Sequence, residues 1–465
     1  MIDLKEKLNL KSHPARLYTP LPDGGVICHL SHRNCQIKPG SAGFCRVRQN
    51  EGGKLVTLNY GVSVQMTQEM IETEAVVHHS PGAPILSLGN VGCMLNCDFC
   101  HNWKTSQMRF VETKDIFHYT PQQVVDTALS KGIGVISWTY NDPVVWHEFV
   151  CDTSRLAKQA GLMTLYKSAF SIDPRAVDEL HDVIDIFSLS LKSMSPEFYR
   201  KVAKGRLEPV LEGIKQVYRF KDRHLELSNL IVTGMNDTLV DVDKVIDWML
   251  KELDDQVPLH FVRFHPDYKY THVQRTPIEF LKKARQRALD RGLKHVYLGN
   301  VYEEHEGLNT YCGSCKALLV KRFGLQTQLV GLDSDLRCKK CLTPGPIKVA
   351  PIQKRAVESS ATLKFEKTST FDWHGDINAC HVLTENVGDK DETFLRLQNA
   401  PQEATSVALK PQEQWRFIAS RKSNQDRGIV IRHPALVNIK FLEVLDRAHF
   451  PTLERSQEIQ HASKN

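Results

Sequence analysis

Gly92-Cys93-Met94-Leu95-Asn96-Cys97-Asp98-Phe99-Cys100-His101-Asn102-Trp103 decides how this chain is read. Its cysteines stand at C-x3-C-x2-C spacing, directly after the strand-like run Ala83-Pro84-Ile85-Leu86-Ser87-Leu88-Gly89. Three thiolates hold three irons of a [4Fe–4S] cube and leave the fourth iron open. Other readings of the same letters explain less. Cys97-Asp98-Phe99-Cys100-His101 fits the C-x-x-C-H pattern of covalent haem attachment but leaves Cys93 idle. A zinc site needs a fourth ligand, for which His101 is the nearest candidate. Buried free cysteines are the plain alternative.

Bulk properties narrow the field. A chain of 465 residues is too long for one ordinary domain. Its 41% apolar content supports a sizeable core. The net charge of +6 is small for this length and gives no argument for nucleic-acid binding. No apolar run approaches the roughly 20 residues that span a bilayer. The segment 1–20 carries charges and lacks the apolar centre of a signal peptide, so a cytoplasmic protein is expected. Its 12 cysteines are then better explained by metals than by disulfides. Ten of them group as Cys28, Cys35, Cys45; Cys93, Cys97, Cys100; and Cys312, Cys315, Cys338, Cys341.

Working outward from the cysteine loop, four regions emerge. Residues 1–80 are turn-rich, punctuated by Gly24-Gly25, Pro39-Gly40 and Gly52-Gly53. Residues 81–305 alternate strands and helices, which implies parallel strands with crossover helices. The expected fold class is α/β, a partial or full parallel (β/α) barrel, with chemistry gathered at the C-terminal ends of its strands. Residues 306–350 form a small cysteine-rich module. Residues 351–465 read as a β-rich extension of unknown role, with a terminal helix expected near 435–447. Within that extension Trp373-His374-Gly375-Asp376 and Cys380-His381 receive no role.

Three further stretches fall at strand ends. Trp138-Thr139-Tyr140-Asn141-Asp142-Pro143 follows the second strand, Ser188-Leu189-Ser190-Leu191-Lys192 closes another, and Arg263-Phe264-His265-Pro266-Asp267-Tyr268 gathers ionisable groups at a third. The pairs Cys312-Gly313-Ser314-Cys315 and Cys338-Lys339-Lys340-Cys341 look like a zinc ribbon or rubredoxin-like site, with zinc the default over iron.

The cysteine spacing, with Phe99 in the aromatic slot before the third cysteine, resembles the signature of the radical SAM superfamily. Across residues 24–345 the chain resembles the radical SAM protein of the AmmeMemoRadiSam system, a relative of pyruvate formate-lyase activating enzymes. Cys35–Gly40, Gly43–Arg48, Cys100–Trp103, Thr139–Pro143, Phe198–Arg200, Gly234–Asp237, Arg263–Tyr268 and Gly299-Asn300 carry that likeness. It implies a [4Fe–4S] cluster on Cys93, Cys97 and Cys100, and S-adenosylmethionine (SAM) on the open iron. Reductive cleavage of SAM to a 5′-deoxyadenosyl radical then removes hydrogen from a substrate. The resemblance places Phe99 near adenine, Thr139, Asn141 and Asp142 near the methionine amino group, and Ser190, Lys192 and His265 within reach of SAM or substrate. It implies an electron donor such as flavodoxin or ferredoxin, and a protein substrate. A small-molecule substrate is the enzymatic alternative, and an iron–sulfur carrier or metal-binding scaffold the non-enzymatic one.

Departures are specific. Asp142 stands where the family has Glu, and Ser190-Leu191-Lys192 where it has Asp-Leu-Lys. Ser31-His32-Arg33 replaces Cys-Pro-His, so a metal on Cys28, Cys35 and Cys45 would need His29 or His32.

Overall fold

The computed structural model describes residues 4–301 and 306–349, together with the backbone of seven strands between Thr368 and Leu445. Its centre is a nine-stranded sheet. Seven strands run parallel and pair in chain order: Pro84–Asn90, Val135–Thr139, Met163–Ser168, Ile186–Ser190, His224–Ile231, Leu259–Arg263 and Val296–Gly299. Val62–Met70 lies antiparallel against Pro84–Asn90 and is edged by Phe117–His118. The sheet therefore begins before residue 81. Its edges, Val296–Gly299 and Phe117–His118, stay unpaired with one another, so the barrel is partial.

Parallel strands form here because both of their faces are covered. All seven residues of Pro84–Asn90 and all five of Val135–Thr139 are buried. The crossover helices start where local chemistry starts them. Thr120 and Gln123 make a reciprocal capping box ahead of Pro121–Ser130, Asp173 caps Pro174–His181 with proline at the first turn, and Thr238 caps Leu239–Glu252. Helix Glu208–Arg219 buries Val210, Ile214 and Val217, a stripe of helical period. Burying each such side chain stabilises the fold by about 1.5–3 kcal/mol.

The two faces of the strands differ in kind. Ile85, Val135, Leu165 and Ile186 point inward and, with Ile71 and Val76, plug the N-terminal end of the barrel. Trp138, Tyr166, Phe187, Leu227 and Phe261 face the helices. Above the plug, the same inward register becomes polar: Thr139, Lys167, Ser188 and Ser190, then Glu226, Ser228 and His260. Hydrophobic burial closes one end and leaves a polar lumen toward the other.

Two short three-stranded sheets precede the barrel, and another, built from Thr310–Tyr311, Leu318–Phe323 and Gln326–Leu329, comes directly after it. That last module has a small core of its own around Leu319, Val320, Leu332 and Ile347. The expected helix near 435–447 is overturned. Val437–Leu445 is a strand, antiparallel to Ala379–Asn386, and the alternation Val437-Asn438-Ile439-Lys440-Phe441 shows why: its period is two. Residues 373–378 lie outside the described residues, and of Cys380-His381 only the backbone is described. Among the described residues no helix is long and apolar enough to cross a membrane.

Candidate active site around the cysteine loop

The loop that carries Cys93, Cys97 and Cys100 leaves the C-terminal end of Pro84–Asn90, at the open, polar end of the barrel. Several short contacts seat it. Asn96 and Asp98 donate their amides to Ala203 and Val202 carbonyls at 3.2 and 3.0 Å. The Lys269 amide donates to the Asp98 carbonyl at 3.0 Å, and Asn102 Nδ2 to the Tyr140 carbonyl at 2.7 Å. Gly92 turns with φ +83°, and a Cβ there would stand 2.9 Å from Val47 and 3.0 Å from the Cys45 carbonyl oxygen. Glycine is required by both the dihedral and the approach.

Cys97 is the buried one of the three, and Cys93 and Cys100 are half-buried. Cys97 is 8% exposed. Burial drives the Cys93 thiol well above its ordinary pKa and pushes Cys97 up to about 12, with Lys192 opposing the latter. Such thiols keep their protons until a metal centre displaces them, as soft thiolate ligands to iron do. Three sulfur donors on one enclosed loop fit the cluster that the spacing implies.

Of the expected side chains, Asp142 and Lys192 stand nearest the thiols, with Phe99 on the loop itself. Phe99 is buried between Phe198 and Tyr270, with ring centroids at 6.0 and 6.3 Å, and Lys192 Nζ lies 5.7 Å from its centroid. Asp142 spends both carboxylate oxygens within the protein. Oδ1 accepts from Ser168 Oγ at 2.8 Å and the Val144 amide at 3.2 Å, and Oδ2 accepts from the Ala169 amide at 2.8 Å. Burial raises its pKa, and these donors offset part of that. Thr139 donates to Glu74 Oε2 at 2.8 Å inside the lumen. Ser190 Oγ meets Ser228 Oγ at 3.0 Å. His265 is exposed at the rim, its Nδ1 2.8 Å from the Pro266 oxygen, while His101 Nε2 reaches the His265 carbonyl at 2.9 Å.

Asn141 is tied by Nδ2 to the Asn90 carbonyl and to Thr105 Oγ1, yet its Oδ1 is buried without a partner. Asn90 Oδ1, whose amide nitrogen bonds the Val91 and Gly92 carbonyls, is likewise buried and unpaired. Two vacant acceptors beside the loop suit an incoming ammonium, since orphaned buried oxygens are costly. Sequence reasoning missed Asn90, which reads as an ordinary strand end. It also missed Lys167, whose Nζ donates to Ser188 and Ser228 hydroxyls at 3.0 and 3.2 Å in the lumen and whose pKa burial lowers to about 8.

The outer cysteines diverge. Cys312, Cys315, Cys338 and Cys341 bring all four sulfurs within 4.8 Å of one another, with Cys312–Cys341 and Cys315–Cys338 both at 3.6 Å. Cys28, Cys35 and Cys45 line a cavity of only about 20 Å³ with Ser31, Arg33 and Arg48. His29 bonds Thr19 and Asn34 instead, and His32 bonds Ser171. His147, Cys151 and Glu179 also converge, but Arg16 stands 3.1 Å from Glu179 and disfavours a cation there.

With this geometry in place, known proteins can be compared. The family model described as the radical SAM superfamily matches residues 88–249. An uncharacterized protein of Methanocaldococcus jannaschii is 39% identical over 331 residues, covering 70% of this chain and 97% of that one. Pyruvate formate-lyase-activating enzyme of Listeria monocytogenes is 25% identical over 167 residues, 34% of this chain and 66% of its own. Benzylsuccinate synthase activating enzyme of Thauera aromatica is 21% identical over 262 residues, 52% of this chain and 77% of its own.

Proposed function

The chain belongs to the radical SAM superfamily and is an enzyme, and from that premise we propose that it acts as an activating enzyme on a protein or peptide substrate. Relatives named for the enzymes they activate motivate the substrate class. When bound, a [4Fe–4S] cluster and SAM supply one-electron cleavage of a sulfonium bond, yielding a 5′-deoxyadenosyl radical that takes a hydrogen atom from the substrate. The residues do the rest. Cys93, Cys97 and Cys100 hold the cluster. Asn141 and Asn90 offer acceptor oxygens to the methionine amino group. Phe99 and Lys192 border the space for the rest of SAM, and Ser190 and His265 stand at the lumen wall and rim. Asp142, bound to Ser168 and Ala169, positions the Asn141 turn. A flavodoxin or ferredoxin supplies the electron.

Three thiols on one loop, with two buried, unpaired amide oxygens beside it at the open end of the barrel, support this reading. Anaerobic reconstitution with iron and sulfide, then SAM and dithionite, should yield 5′-deoxyadenosine, and Cys97→Ala should abolish it. A protein holding a verified full cluster that releases none would speak for an electron carrier instead.

The Cys312, Cys315, Cys338 and Cys341 quartet we read as a tetrahedral structural zinc site that staples a module too small to fold on its own core.

A further inference from the structure

Beside the cysteine loop lies a cleft of about 460 Å³. Its walls come from two distant parts of the chain. Residues 42–46 of the N-terminal module form one, residues 106–109 the other, and Cys93 with Leu95 and Asn96 lies between them. It is lined by Arg46 and Arg109 and by no carboxylate. Asp98, the acid within the cysteine loop, is already held by Lys204 and Lys269 at 3.1 and 2.8 Å. The cleft is therefore cationic, and its charge is not neutralised from within.

The rim is built alike on both sides. Arg33 stacks over Phe44 at 3.4 Å from the ring centroid, and Arg109 over Phe110 at 4.5 Å. Both rings are exposed, at 41% and 36%. Exposed aromatic rings with arginines on them are the composition of contact surfaces, not of ordinary solvated faces. Inside, Gln107 is 9% exposed and its Nε2 has no partner, although its Oε1 accepts from Arg109 at 3.1 Å. Asn96 Oδ1 is buried and unpaired as well. These groups await a polar ligand at a place that abuts a cluster ligand.

We propose that this cleft is where an acidic one-electron carrier protein docks to reduce the centre held by Cys93, Cys97 and Cys100. The proposal rests on the radical SAM reading and names the surface at which its electron enters. Charge complementarity selects the occupant. A cationic, acid-free cleft with arginine rims steers an acidic protein, and transient electron-transfer encounters use small, charge-guided contacts. The step is one electron: the carrier is oxidised by one and the centre reduced by one, with no bond made or broken in this chain. Cys93 forms part of the cleft wall, so the contact abuts one ligand of the centre.

The test uses the full chain, with flavodoxin and ferredoxin as separate acidic probes. In the double variant Arg46→Glu, Arg109→Glu, binding measured calorimetrically at low salt should weaken at least tenfold for a probe that the wild type binds, and lose most of its salt dependence. Arg46→Gln, Arg109→Gln should show a smaller loss in the same direction. Dithionite-driven 5′-deoxyadenosine release should stay unchanged in both variants, while release driven by the reduced carrier falls at least tenfold. Equal carrier affinity in wild type and variants, or no binding of either probe by the wild type, overturns the docking surface. Absence of dithionite-driven product from the wild type overturns the radical SAM reading instead.

Discussion

Arg48 and Glu148 form an ion pair at 3.0 Å whose side chains are 2% and 3% exposed, joining the N-terminal module to the helix His147–Gln159. Burial opposes ionisation of Glu148, but Arg48, His147 and the Arg16 amide together outweigh it and hold the carboxylate below its ordinary pKa. Arg16 adds its amide to Glu148 at 2.7 Å, and its carbonyl accepts from Arg48 at 2.6 Å. Removing one partner leaves the other charge buried alone. Arg48→Met should therefore lower stability by about 3–5 kcal/mol, read as a large fall in thermal midpoint. Glu148→Gln, which keeps the shape and part of the bonding, should cost less.

A second prediction concerns acid. Burial drives His78 and His79 well below the usual histidine range and holds His295 at about 4. They surround Glu226, which accepts from His224 at 2.9 Å and His260 at 2.7 Å. In the unfolded chain these imidazoles take protons near 6.5. Below about 6.5 the unfolded state binds more protons, so their contribution is complete above about 6.5 and is lost as pH falls below it, down to about 4 for His295. Thermal midpoints should drop steadily from pH 7 to pH 5. A flat profile would contradict the buried neutral histidines.

Metal removal should act on the thiolate module. Although burial opposes it, amides of Cys315 and Ser314 and the Thr343 hydroxyl lower Cys312 to about 6, and Thr343 lowers Cys341 as well. Cys312 and Cys341 are thus biased toward thiolate, whereas, against the Ala317 amide, burial and the neighbouring thiols push Cys315 up to about 11. Purified protein should carry one zinc per chain outside its iron by elemental analysis. Cys315→Ser should lose that zinc and the hydrogen-exchange protection of Leu318–Phe323, while iron on the barrel loop persists.

Asn141→Leu isolates the vacant acceptor. A hydrogen bond to a charged group contributes about 1.5–3 kcal/mol, so SAM affinity measured by equilibrium dialysis should fall roughly tenfold or more. Asn141→Asp should retain most of it.

The sequence made the cysteine loop and the strand–helix alternation legible, because ligand spacing and hydrophobic period are local properties. Helices Pro121–Ser130, Pro174–His181 and Leu239–Glu252 stand between parallel strands, as the alternation over residues 81–305 implies. Tertiary facts were not legible. Val62–Met70 joins the sheet across a turn that its own pattern does not announce. Asn90 and Asn141 matter for what they fail to bond, and an empty acceptor has no signature in a string of letters. Lys167 resembles any strand-end lysine until the register turns it into the lumen. Where a helix was expected near 435–447, the period-two alternation from Val437 to Phe441 makes a strand instead.

Arg322, on a strand of the four-cysteine module, donates to the Val77 carbonyl at 2.7 Å across 245 positions of sequence, and to Thr310 Oγ1 at 2.8 Å. Val77 is also the residue whose amide reaches Glu226. The underside of the barrel is thus finished by residues synthesised after the last parallel strand. The loop of Cys93, Cys97 and Cys100 and the polar lumen beneath it therefore share their floor with the four-cysteine module: Val77 is held on its carbonyl side by Arg322 and on its amide side by Glu226.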